Sequence, residues 1–221
     1  MKSRIAVLGL ALMVASPAVV FAGVRDNEST KVEESQEVMG NTNEKNAKKE
    51  AKRLTKEGWE PSAGAQPLEN QLLKSYNMRD ETDDMGYPKY IIAEAQSVGQ
   101  SYDAAKMQAL ELAKQNLAGQ IQTEITSLVE SSVSNNQLGG DEAASVVKTI
   151  SASKNLISQS LGRVVPVMEY YRTLSNGNKE VVVSIAYNTD QAKAAAKRAV
   201  QNELQDETGN LHKKLDEILG W

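Results

Sequence analysis

The chain of 221 residues carries a net charge of -4 with both signs interspersed, no cysteine, one histidine and 5% aromatic residues. Mild acidity excludes nucleic-acid binding by phosphate neutralisation, and the missing cysteine excludes disulfides and lipidation at a cleavage-site cysteine. Too few rings are present to line a carbohydrate site with several aromatics.

Lys2 and Arg4 form a positive n-region, residues 5–15 an apolar stretch, and Val20-Phe21-Ala22 places small residues at a signal-peptidase site. This pattern predicts a secretory signal peptide over 1–22, cleaved after Ala22. The apolar run is about half the ~20 residues that span a bilayer, which disfavours a retained anchor. The expected location is therefore periplasmic or secreted in a bacterium, with about 200 residues left for one domain and an appendage.

Residues 23–43 are polar and charged without apolar period, which predicts a flexible leader. Over 44–86 an N-terminal helical segment is expected. Ala47, Ala51 and Leu54 share one helix face, Gly58 supplies a stop, and Leu68, Leu72, Leu73 and Tyr76 suggest a second short helix. The outer face of the first helix carries Lys45, Lys48, Lys49, Lys52, Arg53 and Lys56, interleaved with Glu44, Glu50 and Glu57. Interleaving of this kind suits a solvated, salt-bridged helix.

Residues 87–99 read as a strand whose alternate positions Ile91, Ala93, Ala95 and Ser97 make one small face. A long helix follows, with Ser101 as N-cap and Asp103 in its first turn. Along it Ala105, Ala109, Ala113, Leu117, Ile121, Ile125 and Val129 recur every fourth residue. Each such step advances about 400°, so the row drifts by about 40° and winds around the helix. Small residues are expected to approach the strand closely, while Ile121, Ile125, Leu128 and Val129 clasp the next helix, expected over 141–161. VVPVMEYYRT and EVVVSIAY predict an antiparallel hairpin with Asn176-Gly177 at the centre of a type I′ turn. Val181, Val183, Ile185 and Tyr187 give its second strand one buried face. A C-terminal helix over 191–221 carries Ala192, Ala195, Ala196 and Ala199, then Leu204, Leu211, Leu215 and Ile218. The fold class is α+β: a small antiparallel sheet of about three strands packed on a long helix, with a helical hairpin and terminal helices.

The stretches YIIAEAQSVGQSYDAAKMQALELAKQNLAGQI, LGRVVPVMEYYRT and KEVVVSIAY carry a resemblance. A strand running into an Ala- and Leu-rich helix, then a Gly-Arg-Val-Val lead-in and a valine hairpin, is similar to the Lpp-twenty family of bacterial envelope lipoproteins. The same core resembles the amino-terminal domain of flagellar assembly protein T and, more distantly, dodecin. The resemblance covers roughly residues 87–190 and implies a small sheet wrapped on a long helix, serving envelope assembly or interaction.

No cofactor or metal pattern is present. His212 sits beside Lys213 and Lys214, so a triad or multi-histidine zinc site lacks partners. Ser151 to Lys154 matches S-x-x-K without its companion elements. Asp80, Glu81, Asp83 and Asp84 lack the spacing of a calcium loop. The expected function is non-enzymatic: an exported interaction module whose partner is an envelope protein or a second copy. Its expected surface is Lys48, Lys52 and Arg53 together with Leu211, Leu215 and Ile218. The alternatives are a periplasmic hydrolase with a carboxylate or Ser-Lys site, and a peripheral binder of anionic membrane through the basic helix.

Overall fold

The computed structural model describes residues 22–135, 139–162, 164, 166–203 and 216, with side chains from residue 38 onward. Residues 1–21 of the expected signal peptide, and Leu204, Leu211, His212, Leu215 and Ile218, lie outside them. The chain divides after Met39 into two units. In the first, the described backbone is helical and opens α1 (Ala22–Lys56). Residues 23–43, expected as a flexible leader, therefore belong to a helix. Their Glu, Gln, Lys and Val carry ordinary helix propensity and no proline interrupts them.

The second unit holds the remaining elements in the order β1 (Glu60–Pro61), α2 (Leu68–Asp80), β2 (Tyr90–Gly99), α3 (Tyr102–Ser134), α4 (Gly140–Ala152), α5 (Lys154–Ser160), β3 (Pro166–Thr173), β4 (Lys179–Asn188) and α6 (Thr189–Glu203). The class is α+β, with an antiparallel sheet in the order β1-β3-β4-β2. Its fourth strand, β1, is a two-residue piece containing a proline, which leaves no period in the sequence.

α1 ends in a Schellman motif. Trp59 N–H donates to the Leu54 carbonyl and Gly58 N–H to that of Thr55, which satisfies carbonyls left over at the helix end. Ser101 caps α3 as expected, its hydroxyl accepting from Ala104 N–H at 3.2 Å. At the junction before it, a Cβ on Gly99 would lie 2.8 Å from the Ala105 backbone nitrogen. Only glycine permits that approach of strand to helix.

The drifting row on α3 is buried throughout, from Ala105 to Val129. Its alanine half meets Ile91, Ala93 and Ala95 of β2 and Val181, Val183 and Ile185 of β4 in one core. Its larger half meets Val146, Ile150, Ile157 and the alanines of α6. Leu128, expected in that clasp, is instead 38% exposed. It stands three residues beyond Ile125, off the four-residue row. The single helix expected over 141–161 is interrupted at Ser153, a fully buried residue whose hydroxyl donates to the Thr149 carbonyl at 2.7 Å. That bond competes with regular helix pairing.

β4 is buried on both faces, not one. Val182 joins a second core with Met168, Tyr170, Ala47, Leu54, Trp59 and Leu72. The end of α1 and α2 thus cover the sheet face opposite α3, giving three layers. Trp59 meets Tyr170 edge-on with ring centroids 5.1 Å apart, and Arg172 lies 4.4 Å over the Trp59 ring. Arg172 Nε also pairs with Glu180 at 2.5 Å, and the Gln96 amide donates to the same carboxylate.

The hairpin forms as expected, but its turn is shifted by one residue. Gly177 N–H donates to the Leu174 carbonyl at 2.9 Å and Leu174 N–H to that of Asn178 at 2.8 Å. Ser175 and Asn176 are therefore the central residues, and Gly177, at φ 83°, follows them. This is the three-residue loop in which a turn is followed by a left-handed glycine. Open space surrounds Gly177, so a side chain there meets only backbone strain. Gly177→Val should lower stability by about 1 to 2 kcal/mol, while Gly177→Asn should cost far less. Denaturant midpoints of the three proteins check this, and equal midpoints would reject the turn.

Candidate functional site

Glu169 stands in the apolar run VMEYY of β3, just after the register shift between Pro166 and Met168. Its side chain is 13% exposed and accepts hydrogen bonds from two elements, the loop after β1 and α3. Ser62, in the loop after β1, donates to its Oε1 at 2.7 Å, and Lys106 Nζ lies 2.9 Å from the same oxygen. The Tyr102 hydroxyl reaches both Glu169 Oε1 and Ser62 Oγ, the latter at 2.7 Å. Its one proton serves one of them at a time. Tyr102 and Lys106 are one helical turn apart on α3, so they share a face. Behind the carboxylate, Glu169 N–H donates to Gln71 Oε1 at 2.6 Å, and the Gln71 amide donates to the Gln66 carbonyl at 2.6 Å. A cavity of about 550 Å³ opens over this cluster, with Gln66, Asn70, Lys74, Leu110 and Val167 in its wall.

The electrostatics hold each group in its ordinary charge state. Burial alone would raise the Glu169 carboxyl, but bonds from Tyr102, Lys106 and Ser62 and the nearby Lys106 charge carry it below the usual carboxylate value. Lys106 is raised, chiefly by its bond to Glu169. Tyr102 is raised by burial and then by Glu169. At neutral pH the site is a carboxylate, an ammonium and a neutral phenol. A general base or nucleophile at work near neutrality needs its pKa moved toward that pH. These move away.

The expected partner surface is only partly present among the described residues. Lys48, Lys52 and Arg53 are all exposed on α1. Arg53, however, is bridged to Glu50 and Glu57 at 2.5 Å each. Lys48 and Lys52 enter no ion pair among the described residues. Leu211, Leu215 and Ile218 lie outside them, as does His212. Ser151 and Lys154 are exposed and fall on either side of the Ser153 break, and the Lys154 stem lies along Gly119 of α3.

The acidic stretch is absorbed locally. Asp83 Oδ1 accepts from Met85 N–H and Tyr87 N–H at 2.9 Å each, Glu81 pairs with Lys89 at 2.5 Å, and Asp80 accepts from the Asn43 amide at 2.8 Å. Among the described residues no group of three or more acidic or histidine side chains is placed to hold a metal ion, and no helix is long and apolar enough to cross a membrane.

Neither family models, curated proteins nor solved structures yield a match to this chain. The site is thus read from its own geometry. The Glu169 cluster escaped the sequence because Ser62 and Glu169 stand 40 and 67 residues from Tyr102. The available signal was a glutamate inside a β-branched and aromatic run, where an ionised group requires partners.

Proposed function

We propose that this chain is an exported, non-catalytic interaction module of a bacterial cell envelope, in keeping with its resemblance to the Lpp-twenty family. One observation carries the reading. The polar groups that converge best, Ser62, Tyr102, Lys106 and Glu169, are spent on one another and held in their resting charge states. Such a cluster ties the β1–α2 loop to α3 and β3. Lysines 48 and 52, by contrast, face outward without an ion pair among the described residues.

The partner is an envelope protein or a second copy. Contacts are expected through the basic row of α1 and through Leu211, Leu215 and Ile218. Rim charges set encounter rate and salt sensitivity, while apolar anchors hold a complex together.

Lysine-directed crosslinking in intact cells, followed by mass spectrometry, tests the proposal. The expected result is a reproducible adduct at Lys48 or Lys52, on a chain that begins at Gly23. Turnover of a peptide, ester or glycan by the purified protein, lost in Ser62→Ala or Ser151→Ala, would favour the hydrolase alternative and overturn the module.

A further inference from the structure

A groove of about 540 Å³ runs between the last turns of α1 and the start of α2. Its floor is mostly carbon, from Ala51, Pro61, Pro67 and Leu68; Lys52 and Lys56 form the α1 rim, and Glu69 stands on the other. Lys52 and Lys56 are exposed and enter no ion pair among the described residues. Neighbouring Arg53 is the cation committed to Glu50 and Glu57, so the local carboxylates of α1 are already engaged. Lys48, outside the groove's lining, stands one helical turn before Lys52 on the same side of α1.

From this groove we infer a docking site for an extended partner segment that alternates acidic and apolar residues. The inference rests on the module reading and names the surface and the partner chemistry. Three physical features select that occupant. Four residues of helix rise about 6 Å, so Lys48, Lys52 and Lys56 repeat at about that interval. Every second residue of an extended chain repeats at about 6.6 to 6.8 Å on one side. Acidic side chains on one side of the segment therefore meet successive lysines, while the intervening apolar ones turn toward the carbon floor.

Pro61 and Pro67 have fixed φ angles and line the groove from a backbone that needs little ordering, which limits the entropy lost on binding. Glu69 lies in the first turn of α2, where the helix dipole favours it. It repels an acidic side chain from the α2 side and so sets which edge of the segment faces the lysines. A flat array of anionic headgroups reaches the lysine row but not the floor below it.

Fluorescence anisotropy with a short labelled peptide alternating leucine and glutamate tests the site, using the whole mature chain. The expected result is saturable binding, weakened at least about tenfold in Lys52→Gln/Lys56→Gln. Thr55→Trp, which places an indole in the groove from an exposed position, should weaken it similarly. Circular dichroism should match wild type in both variants and melting should shift little, because Lys52, Thr55 and Lys56 are all exposed. A peptide with lysine in place of glutamate should not bind. Unchanged titrations for Thr55→Trp overturn the inference. So does binding confined to vesicles containing phosphatidylglycerol, or self-association that the same variants abolish. Crosslinking in cells of Thr55→Trp, which keeps Lys48 and Lys52, separates the two readings. Adducts that persist without peptide binding leave the module standing and remove the groove from it.

Discussion

Replacing Glu169 with alanine should destabilise the fold by about 3 to 5 kcal/mol, the range for removing one partner of a buried, hydrogen-bonded charge pair. Lys106, Tyr102 and Ser62 would all lose the acceptor they share. Lys106 is 37% exposed and regains water more readily than the others, which places the result toward the lower end. Glu169→Gln keeps the shape but not the charge and should cost about 1.5 to 3 kcal/mol.

The pH dependence has a definite sign. The Glu169 carboxyl lies below its ordinary 4.5 in the folded chain, so falling pH protonates the unfolded chain first. The gap between wild type and Glu169→Gln should hold from neutral pH down to about that value. It should then shrink as pH falls through the lower folded one. Denaturant melts across this range are the measurement. A gap that stays constant in acid would mean that the carboxylate charge contributes nothing.

Replacing Ala113 with leucine should cost about 3 kcal/mol, at the upper end of overpacking penalties. Ala109 and Ala113 are fully buried where α3 crosses β2 and β4, in a core with Ala93, Val183 and Ile185. Three added carbons there find no void and must push the helix off the sheet. Ala109→Leu should behave alike. Ala194, exposed on α6, supplies the control, with an expected change within about 0.5 kcal/mol. Equal midpoints for the three variants would place the alanine row away from the sheet.

The long helix was legible because its pattern is one-dimensional. Seven residues at four-residue spacing mark a buried stripe in any tertiary setting, and the gradient from alanine to isoleucine told where the neighbour changes from strand to helix. The hairpin was legible for the same reason, through alternation on both sides of Asn176-Gly177. Its turn frame was not. Asn-Gly fits the centre of a type I′ turn as well as the last two places of the three-residue loop, and the flanking register decides between them. Val182 shows the next limit. In the run VVVSI, periodicity identified one buried face from Val181, Val183 and Ile185. The burial of Val182 depends on Ala47, Leu54 and Leu72, more than a hundred residues earlier.

For the site, the lysines at 48 and 52 were readable as an exposed row, and Tyr102 and Lys106 as one helix face. Neither reading shows what lies opposite. Pro61, Pro67 and Leu68 become the floor of a groove only where α1 and α2 lie together on the outer face of the sheet, with β1 paired to β3. Glu169 meets Ser62 only through the same pairing. By itself, then, the sequence determined the long helix, the strand before it, the hairpin, the buried row along α3 and the exposed lysines of α1, because those follow from local periodicity and solvation. Tertiary structure alone decided the second core, the carboxylate cluster and the groove. Each joins segments far apart in the chain, and such contacts depend on how the layers close rather than on any spacing within one element.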